Sequence, residues 1–81
     1  EKKTVKYHIP QHGIYMYART NSGKTELIVL NSADAEQVVA NDHYRIMQMI
    51  QKSGKELISG KKIDLTKNMT VGARQSLIIE L

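Results

Sequence analysis

The stretch GIYMYARTNSGKTELIVLN, residues 13–31, decides the fold of this 81-residue chain. Two β-type runs, Ile14–Thr20 and Lys24–Asn31, flank the tripeptide Asn-Ser-Gly at positions 21–23. β-branched and aromatic residues favour strands, and a glycine between two such runs can adopt the positive φ that a tight turn needs. The stretch therefore predicts a β-hairpin.

The segment ARTNSGKT, residues 18–25, also fits the relaxed pattern of a phosphate-binding loop. Such a loop wraps a phosphate with backbone N–H groups, and a helix begins at its last residue. Here β-branched Ile28 and Val29, and then polar turn residues, follow the segment and disfavour a long helix. Ser-Gly-Lys also recurs at residues 53–55 and 59–61 between short apolar runs, as a turn signal does. We therefore favour a hairpin turn over a nucleotide site.

Turn-forming residues recur along the whole chain and separate short apolar runs, which is typical of a sandwich or barrel. Between Asn41 and Ile50 the apolar residues instead have helical spacing, so we expect one short helical turn near residues 42–49. Gly72 is expected to form a tight corner or a bulge before the last strand. The predicted fold is all-β, an antiparallel sandwich of Greek-key type with about seven to eight strands. The predicted strands are Thr4–Tyr7, Ile14–Thr20, Lys24–Asn31, Glu36–Ala40, Lys55–Leu57, Ile63–Leu65, Met69–Val71 and Ser76–Leu81.

The length predicts a single domain over residues 1–81, with residues 1–12 as an interdomain or disordered start. The longest uninterrupted apolar run, Ile14–Ala18, is far shorter than the ~20 residues of a membrane-spanning helix, so no membrane insertion is expected. The absence of cysteine is compatible with a cytoplasmic or a periplasmic setting, and the localisation stays open. Because the chain begins at Glu1 and not at a methionine, we expect it to be a piece of a longer protein.

Twelve Lys and Arg residues against eight Asp and Glu give a net charge of +4, which makes nucleic acid a candidate partner. The distribution disfavours it, because three of the lysines cluster at the start and the other basic residues alternate with acids. All four aromatic residues are tyrosines, without the aromatic motif of RNA-recognition domains. We therefore expect a solvated mixed surface and no nucleic-acid partner. The acids assigned to that surface are Glu26, Glu56, Asp64 and Glu80.

The histidines do not form a convincing catalytic or metal site. His8 and His12 are four residues apart, but Pro10 between them makes a shared helical face improbable. His43 follows Asp42, but neighbours in sequence point in different directions, and no nucleophile in a suitable turn accompanies them. We interpret these histidines as loop residues.

Paired carboxylates could hydrolyse a glycosidic bond if they faced each other across a cleft. Asp34 and Glu36 are the nearest such pair in the sequence, and a polar turn is the favoured interpretation of them. The sequence thus predicts no catalytic residue, no cofactor and no metal site within this chain.

Tyr15 and Tyr17 alternate with apolar residues, so both faces of their strand are apolar. This pattern indicates either a central strand that is covered on both sides or a face that docks on a larger partner, and both interpretations remain open. The four methionines, at positions 16, 47, 49 and 69, are expected to fill gaps in the core.

Four stretches occur in a familiar order: HGIYMYART, GKTELIVLNSADAEQVV, GKELISGKKIDL and NMTVGARQSLIIEL. Together they resemble the C-terminal β-sandwich of the α-amylase superfamily of glycoside hydrolases, most closely that of cyclomaltodextrinases and neopullulanases. The resemblance spans residues 13–81. The matching positions are Tyr15, Tyr17 and Arg19 of a Tyr-x-Tyr-x-Arg strand, Leu30-Asn31, the turn segment 56–60, Gly72-Ala73-Arg74, and the closing Glu80-Leu81.

The resemblance implies that the catalytic Asp and Glu residues lie on a preceding (β/α)₈ barrel of a bacterial parent chain and that none of them is present here. It implies that this domain packs on the barrel and stabilises it, with Tyr15 and Tyr17 as candidate docking residues. The partners would be the barrel of the same chain and, through the parent, an α-glucan such as a cyclodextrin, pullulan or starch. The alternative is a carbohydrate-binding module that would contact sugar through Tyr15, Tyr17 or Tyr44, although the chain has no Trp or Phe.

Overall fold

The chain folds around a hairpin of two equally long strands, β2 (Ile14–Asn21) and β3 (Lys24–Asn31), which pair antiparallel along their whole length. Ser22 and Gly23 in the turn both have positive φ, 53° and 81°, which is the type I′ geometry whose twist suits a hairpin. The predicted hairpin is confirmed. Because β3 begins at Lys24, the helix N-terminus that a phosphate-binding loop requires does not follow this turn.

The computed structural model describes residues 2–7 and 9–81, which form eight strands in two sheets. The other six strands are β1 (Lys2–Tyr7), β4 (Gln37–Val39), β5 (Ser53–Glu56), β6 (Lys62–Asp64), β7 (Met69–Val71) and β8 (Ser76–Glu80). The large sheet has the order β1-β2-β3-β8-β5-β6, and β4 pairs with β7 in a second, two-stranded sheet. All of these pairs are antiparallel.

A short helical segment connects β4 to β5, as the helical spacing of its apolar residues predicts. A 3₁₀ turn, Asn41–Tyr44, continues into helix α1, Arg45–Ile50. Tyr44 and Met47 are buried and place this segment against the core.

One hydrophobic cluster joins the two layers, which confirms the all-β, sandwich-like fold. Alternate residues of β2, β3 and β8 contribute from the large sheet, and β4, β7 and the helical segment contribute from the other side. The buried members are Ile9, Ile14, Met16, Ala18, Leu27, Val29, Val39, Tyr44, Met47, Leu65, Met69, Val71, Leu77 and Ile79.

The strand predictions are confirmed except at several ends. The largest difference is in β5, which begins at Ser53 and ends at Glu56, whereas the predicted strand runs over Lys55–Leu57. The chain turns after Glu56 because its carboxylate accepts hydrogen bonds from the N–H groups of Ile58 and Ser59. A side chain that binds the backbone just ahead of it favours a turn over a continued strand.

The expectation that all four methionines fill the core is wrong for one of them. Met16, Met47 and Met69 are buried, but Met49 on α1 is 84% exposed. Met49 is two residues beyond Met47, and about 200° of helix rotation separates two such side chains. Since Met47 faces the core, Met49 faces away from it.

The first twelve residues include described structure. Residues 2–7 form β1, which pairs with β2, and the Gln11 side chain donates hydrogen bonds to Gln37 and to the carbonyl of Val38. This segment is therefore connected to both layers of the sandwich. Its predicted interdomain role stays a prediction.

Gly54 in β5 lies where the large sheet leaves no room for a side chain. A Cβ at this position would lie 2.5 Å from Cγ2 of Ile79 and 2.8 Å from the carbonyl oxygen of Glu80. We expect Gly54→Ala to lower the free energy of unfolding by about 1–3 kcal/mol, since the β8 backbone must move to admit the methyl group. Urea denaturation of the two proteins measures the difference.

Gly72→Ala is the matched control for this substitution. Its Cβ would meet Oε1 of Gln75 at 2.9 Å, and this exposed side chain, which accepts a hydrogen bond from the Gly72 N–H, can move without a shift of the backbone. An equal loss in both variants would contradict the close packing of Gly54 against β8.

Candidate functional site

Strand β2 presents Tyr15 and Tyr17 on the outer face of the large sheet. Side chains alternate between the two faces of a strand, and Ile14 and Met16 face the core. Tyr15 is consequently 60% exposed, and Tyr17 is half-buried by its neighbours in the sheet. Within the described residues no second layer covers this face, so the strand is covered on one side.

The strand register extends the apolar surface across the sheet. Tyr15 lies opposite Leu30, Tyr17 lies opposite Ile28, and Ile28 lies opposite Ile78. Leu57 continues the series, because its N–H donates to the carbonyl of Ile78. Ile28 is only 5% exposed although it does not belong to the core cluster, which shows that these side chains cover one another. We call this set the outer apolar row: Tyr15, Tyr17, Ile28, Leu30, Leu57 and Ile78.

A charged row runs parallel to the outer apolar row. Arg19 and Glu26 face each other across β2 and β3 and form a salt bridge with an N–O distance of 2.7 Å. The hydrogen bond to Glu26 and its negative charge raise the pKa of Arg19. In the same register Glu26 lies opposite Glu80, and Glu80 lies opposite Lys55. The charged row thus borders the apolar surface on one side.

A depression of about 530 Å³ opens beside Tyr15, where the chain leaves β1 and returns to β2. Its walls are largely apolar, and Lys6, Gln11 and His12 add polar groups. This combination of apolar walls and a few polar groups is typical of surfaces that receive a ligand or a partner's side chain. His8, the other member of the predicted histidine pair, lies outside the described residues.

Asn31, at the end of β3, is a buried polar residue with every hydrogen-bonding group occupied. Its side-chain N–H₂ donates to the carbonyls of Ala35, Val71 and Gly72, and its Oδ1 accepts from Ala33 and Gln37. These bonds join the large sheet to β7 and to the loop before β4. We assign Asn31 a structural role, since a buried amide with all its bonds satisfied stabilises one arrangement of the chain.

The interpretation of the acids as surface residues is wrong for Glu56, which is only 2% exposed. Its carboxylate accepts hydrogen bonds from the N–H groups of Ile58, Ser59 and Ile78. Burial acts to raise the pKa of Glu56, but these N–H groups outweigh burial and lower the pKa to about 2. The sequence signal that could have found it is an acid directly before the turn that ends at Gly60.

The other acids considered for catalysis are engaged in ion pairs or lie in a loop. The Asp34 carboxylate binds the Arg74 guanidinium, and the Asp42 carboxylate binds Arg45 rather than His43. Asp34 and Glu36 are exposed in the loop between β3 and β4. Over residues 2–7 and 9–81, no group of three or more His, Asp and Glu residues could hold a metal ion.

Tyr44 belongs to the core and not to the surface. It is fully buried, and its hydroxyl donates to the carbonyl of Lys67 at 2.6 Å. Burial and, to a lesser degree, the charge of Asp64 raise the pKa of Tyr44 to about 12. Burial also raises the pKa of Tyr7. Tyr15 is therefore the tyrosine whose ring is most open to a partner.

The chain matches a known family model and a known fold. The model described as Cyclo-malto-dextrinase C-terminal domain matches residues 5–80. The structure is similar to part of the beta-galactosidase from Bacillus circulans sp. alkalophilus, with a TM-score of 0.66 and 23% identity over 91% of this chain. The chain covers 9% of that enzyme's length, and at this identity the likeness supports the fold alone. In the described part of the chain, no helix is long and apolar enough to cross a membrane.

Replacing the Glu56 carboxylate tests its structural role. We expect Glu56→Gln to lower the free energy of unfolding at pH 7 by on the order of 2 kcal/mol, because an amide brings N–H groups against backbone N–H groups. The folded pKa lies below the ordinary value of 4.5, so the contribution of the carboxylate is complete above pH 4.5 and decreases as the pH falls towards about 2. The difference between the two proteins should shrink over that window in urea denaturation.

The exposed Glu36→Gln is the control, and we expect it to leave stability unchanged across the same pH range. If the Glu56→Gln difference were the same at pH 7 and at pH 2.5, the charge of Glu56 would not be what stabilises the turn.

Proposed function

The chain belongs to the Cyclo-malto-dextrinase C-terminal domain family, and on this basis we propose that it is the non-catalytic C-terminal domain of an α-amylase-like glycoside hydrolase. In this proposal the parent hydrolyses α-glucosidic bonds in cyclodextrins, pullulan or starch on a (β/α)₈ barrel that precedes this domain. The domain packs on the barrel and stabilises it.

The observation that carries the proposal is the open outer apolar row. An antiparallel sheet whose second face meets water normally has polar side chains on that face. Here Tyr15, Tyr17 and Leu30 occupy outer positions instead, next to Ile28 and Ile78. A contiguous apolar surface of this kind, bordered by charged residues such as Arg19 and Glu26, is typical of a docking surface between domains.

The pairing and hydrogen bonding of the acidic residues in this domain support a location of the catalytic residues in another part of the parent chain. Retaining and inverting glycosidases need a general acid whose pKa is raised, facing a second carboxylate across a substrate cleft. Glu56 has its pKa lowered instead, Asp34 is paired with Arg74, and Glu26 is paired with Arg19. These carboxylates are suited to stabilising turns and sheet faces.

Sugar contact is the second candidate, and the depression beside Tyr15 is the observation that favours it. A pyranose ring could stack on an exposed tyrosine at such a place. If the domain binds sugar there, titration with maltooligosaccharides should give saturable shifts of the Tyr15 and Tyr17 resonances while the buried Tyr44 stays unchanged. Under the docking proposal, we expect no saturable shift at any tyrosine.

Docking through the outer apolar row predicts that its tyrosines stabilise the intact parent. We expect the double variant Tyr15→Ser/Tyr17→Ser to lower the Tm of the parent by about 6–12 °C, because each buried aromatic ring contributes roughly 1.5 kcal/mol and each kcal/mol corresponds to about 2–4 °C. Tyr15→Ser alone should account for much of the loss, since its ring is exposed within this domain. Differential scanning calorimetry of the full-length proteins provides the measurement.

Ile46→Ser on α1 is the matched control, because Ile46 is 63% exposed but lies on a different surface from Tyr15. We expect it to leave the Tm nearly unchanged. An unchanged Tm in the tyrosine variants would show that the domain does not dock through these residues.

A further inference from the structure

Over residues 2–7 and 9–81, Lys6 is a cation without a partner, at the end of the outer apolar row. The register of β1 and β2 places Lys6 opposite Tyr17, and Lys6 also lines the depression beside Tyr15. Among the described residues it has neither a hydrogen bond nor an ion pair, and its side chain is exposed. The ammonium group therefore stands beside the apolar surface that the proposed function assigns to docking.

The other charges of this face are arranged differently. Arg19 is paired with Glu26, and Lys55 lies opposite Glu80 in the register. Lys62 follows opposite Lys55, so the charged row holds three cations and two carboxylates. Lys6 lies at the end of the outer apolar row instead, where its direct neighbour Tyr17 offers no negative charge.

Docking would remove water from the surroundings of Lys6. A charged group that loses its water without gaining a partner costs several kcal/mol, whereas an ammonium group that meets a carboxylate recovers much of that cost. Because Lys6 lines the same depression as Tyr15, a surface that fills this depression also approaches the Lys6 side chain. The partner surface must therefore complement a positive charge at this point.

Resting on the proposed docking of this face, we infer that the catalytic domain places an Asp or Glu carboxylate against Lys6, beside an apolar side chain that fills the depression. Apolar anchors in a pocket that are flanked by a complementary charge are a common arrangement at the centre of interfaces. The apolar anchor supplies burial against Tyr15 and Tyr17, and the carboxylate determines the orientation in which the two domains meet.

The rate of Tyr15 nitration in the intact parent measures whether the catalytic domain covers this face. The full-length protein is treated with tetranitromethane, and the rate of Tyr15 nitration is followed by mass spectrometry of the peptide that contains it. The guanidinium-unfolded parent sets the rate of an uncovered ring. Docking predicts that Tyr15 in the native wild-type parent reacts at least about tenfold more slowly than in the unfolded parent. A tenfold difference corresponds to a free energy of about 1.4 kcal/mol for exposing the ring.

The variants Lys6→Glu and Lys6→Met then test the carboxylate. We expect Lys6→Glu to raise the nitration rate of Tyr15 several-fold at low salt, because two carboxylates would face each other, and the effect should weaken at high salt. Lys6→Met, which keeps an apolar stem without the charge, should have a smaller effect. Lys61→Glu is the control, since Lys61 is also exposed but lies just before β6.

The outcomes separate the two proposals. If Tyr15 is protected in the wild-type parent and stays protected in Lys6→Glu at low salt, the domain docks through this face but no carboxylate faces Lys6. If Tyr15 in the native wild-type parent reacts as fast as in the unfolded parent, the docking proposal itself is overturned. If Lys61→Glu raises the rate as much as Lys6→Glu, the effect comes from net charge and the carboxylate at Lys6 is refuted.

Discussion

The unbroken register of the β2–β3 hairpin is the constraint on which the rest of the structure depends. Because side chains alternate along a strand, this register assigns Met16 and Val29 to the core and Tyr17 and Ile28 to the outer face. A slip of one residue would exchange the two faces of both strands. The two-residue type I′ turn prevents that slip. The strands that pair with the hairpin therefore also have one face towards the core and one open face.

Two buried polar residues, Asn31 and Glu56, add connections between parts of the fold through their side chains. Asn31 binds backbone groups of the loop before β4 and of the corner after β7, while the Glu56 carboxylate binds its own turn and the N–H of Ile78 in β8. Asn31 and Glu56 each bind backbone groups in a turn or loop and in a neighbouring strand. In the described part of the chain, the second layer consists of two short strands and a helical segment, so such side-chain bonds replace part of the pairing that a larger second sheet would supply.

The strands, the hairpin and the helical turn could be predicted because they follow from local periodicity and turn residues. The burial of Glu56 and the exposure of Met49 could not, since both depend on which side of a turn or helix meets the rest of the fold. The two-sided apolar pattern of Tyr15 and Tyr17 was visible in the sequence and indicated a docking face as one interpretation. Lys6 became part of that site only through the β1–β2 register, which joins residues that are far apart in the chain.

The position of β8 has a consequence for how the domain acquires its structure. Over the described residues, this strand lies between β3 and β5, so β8 joins the β1-β2-β3 meander to the β5-β6 hairpin within the large sheet. Until residues 76–80 are in place, the two halves of the large sheet expose open edges, and Ile28 lacks its neighbour Ile78. Long-range pairings of this kind form late and slowly. In a chain synthesised from its N-terminus, the apolar surface around Tyr17 would therefore be completed only after residues 76–80 have left the ribosome.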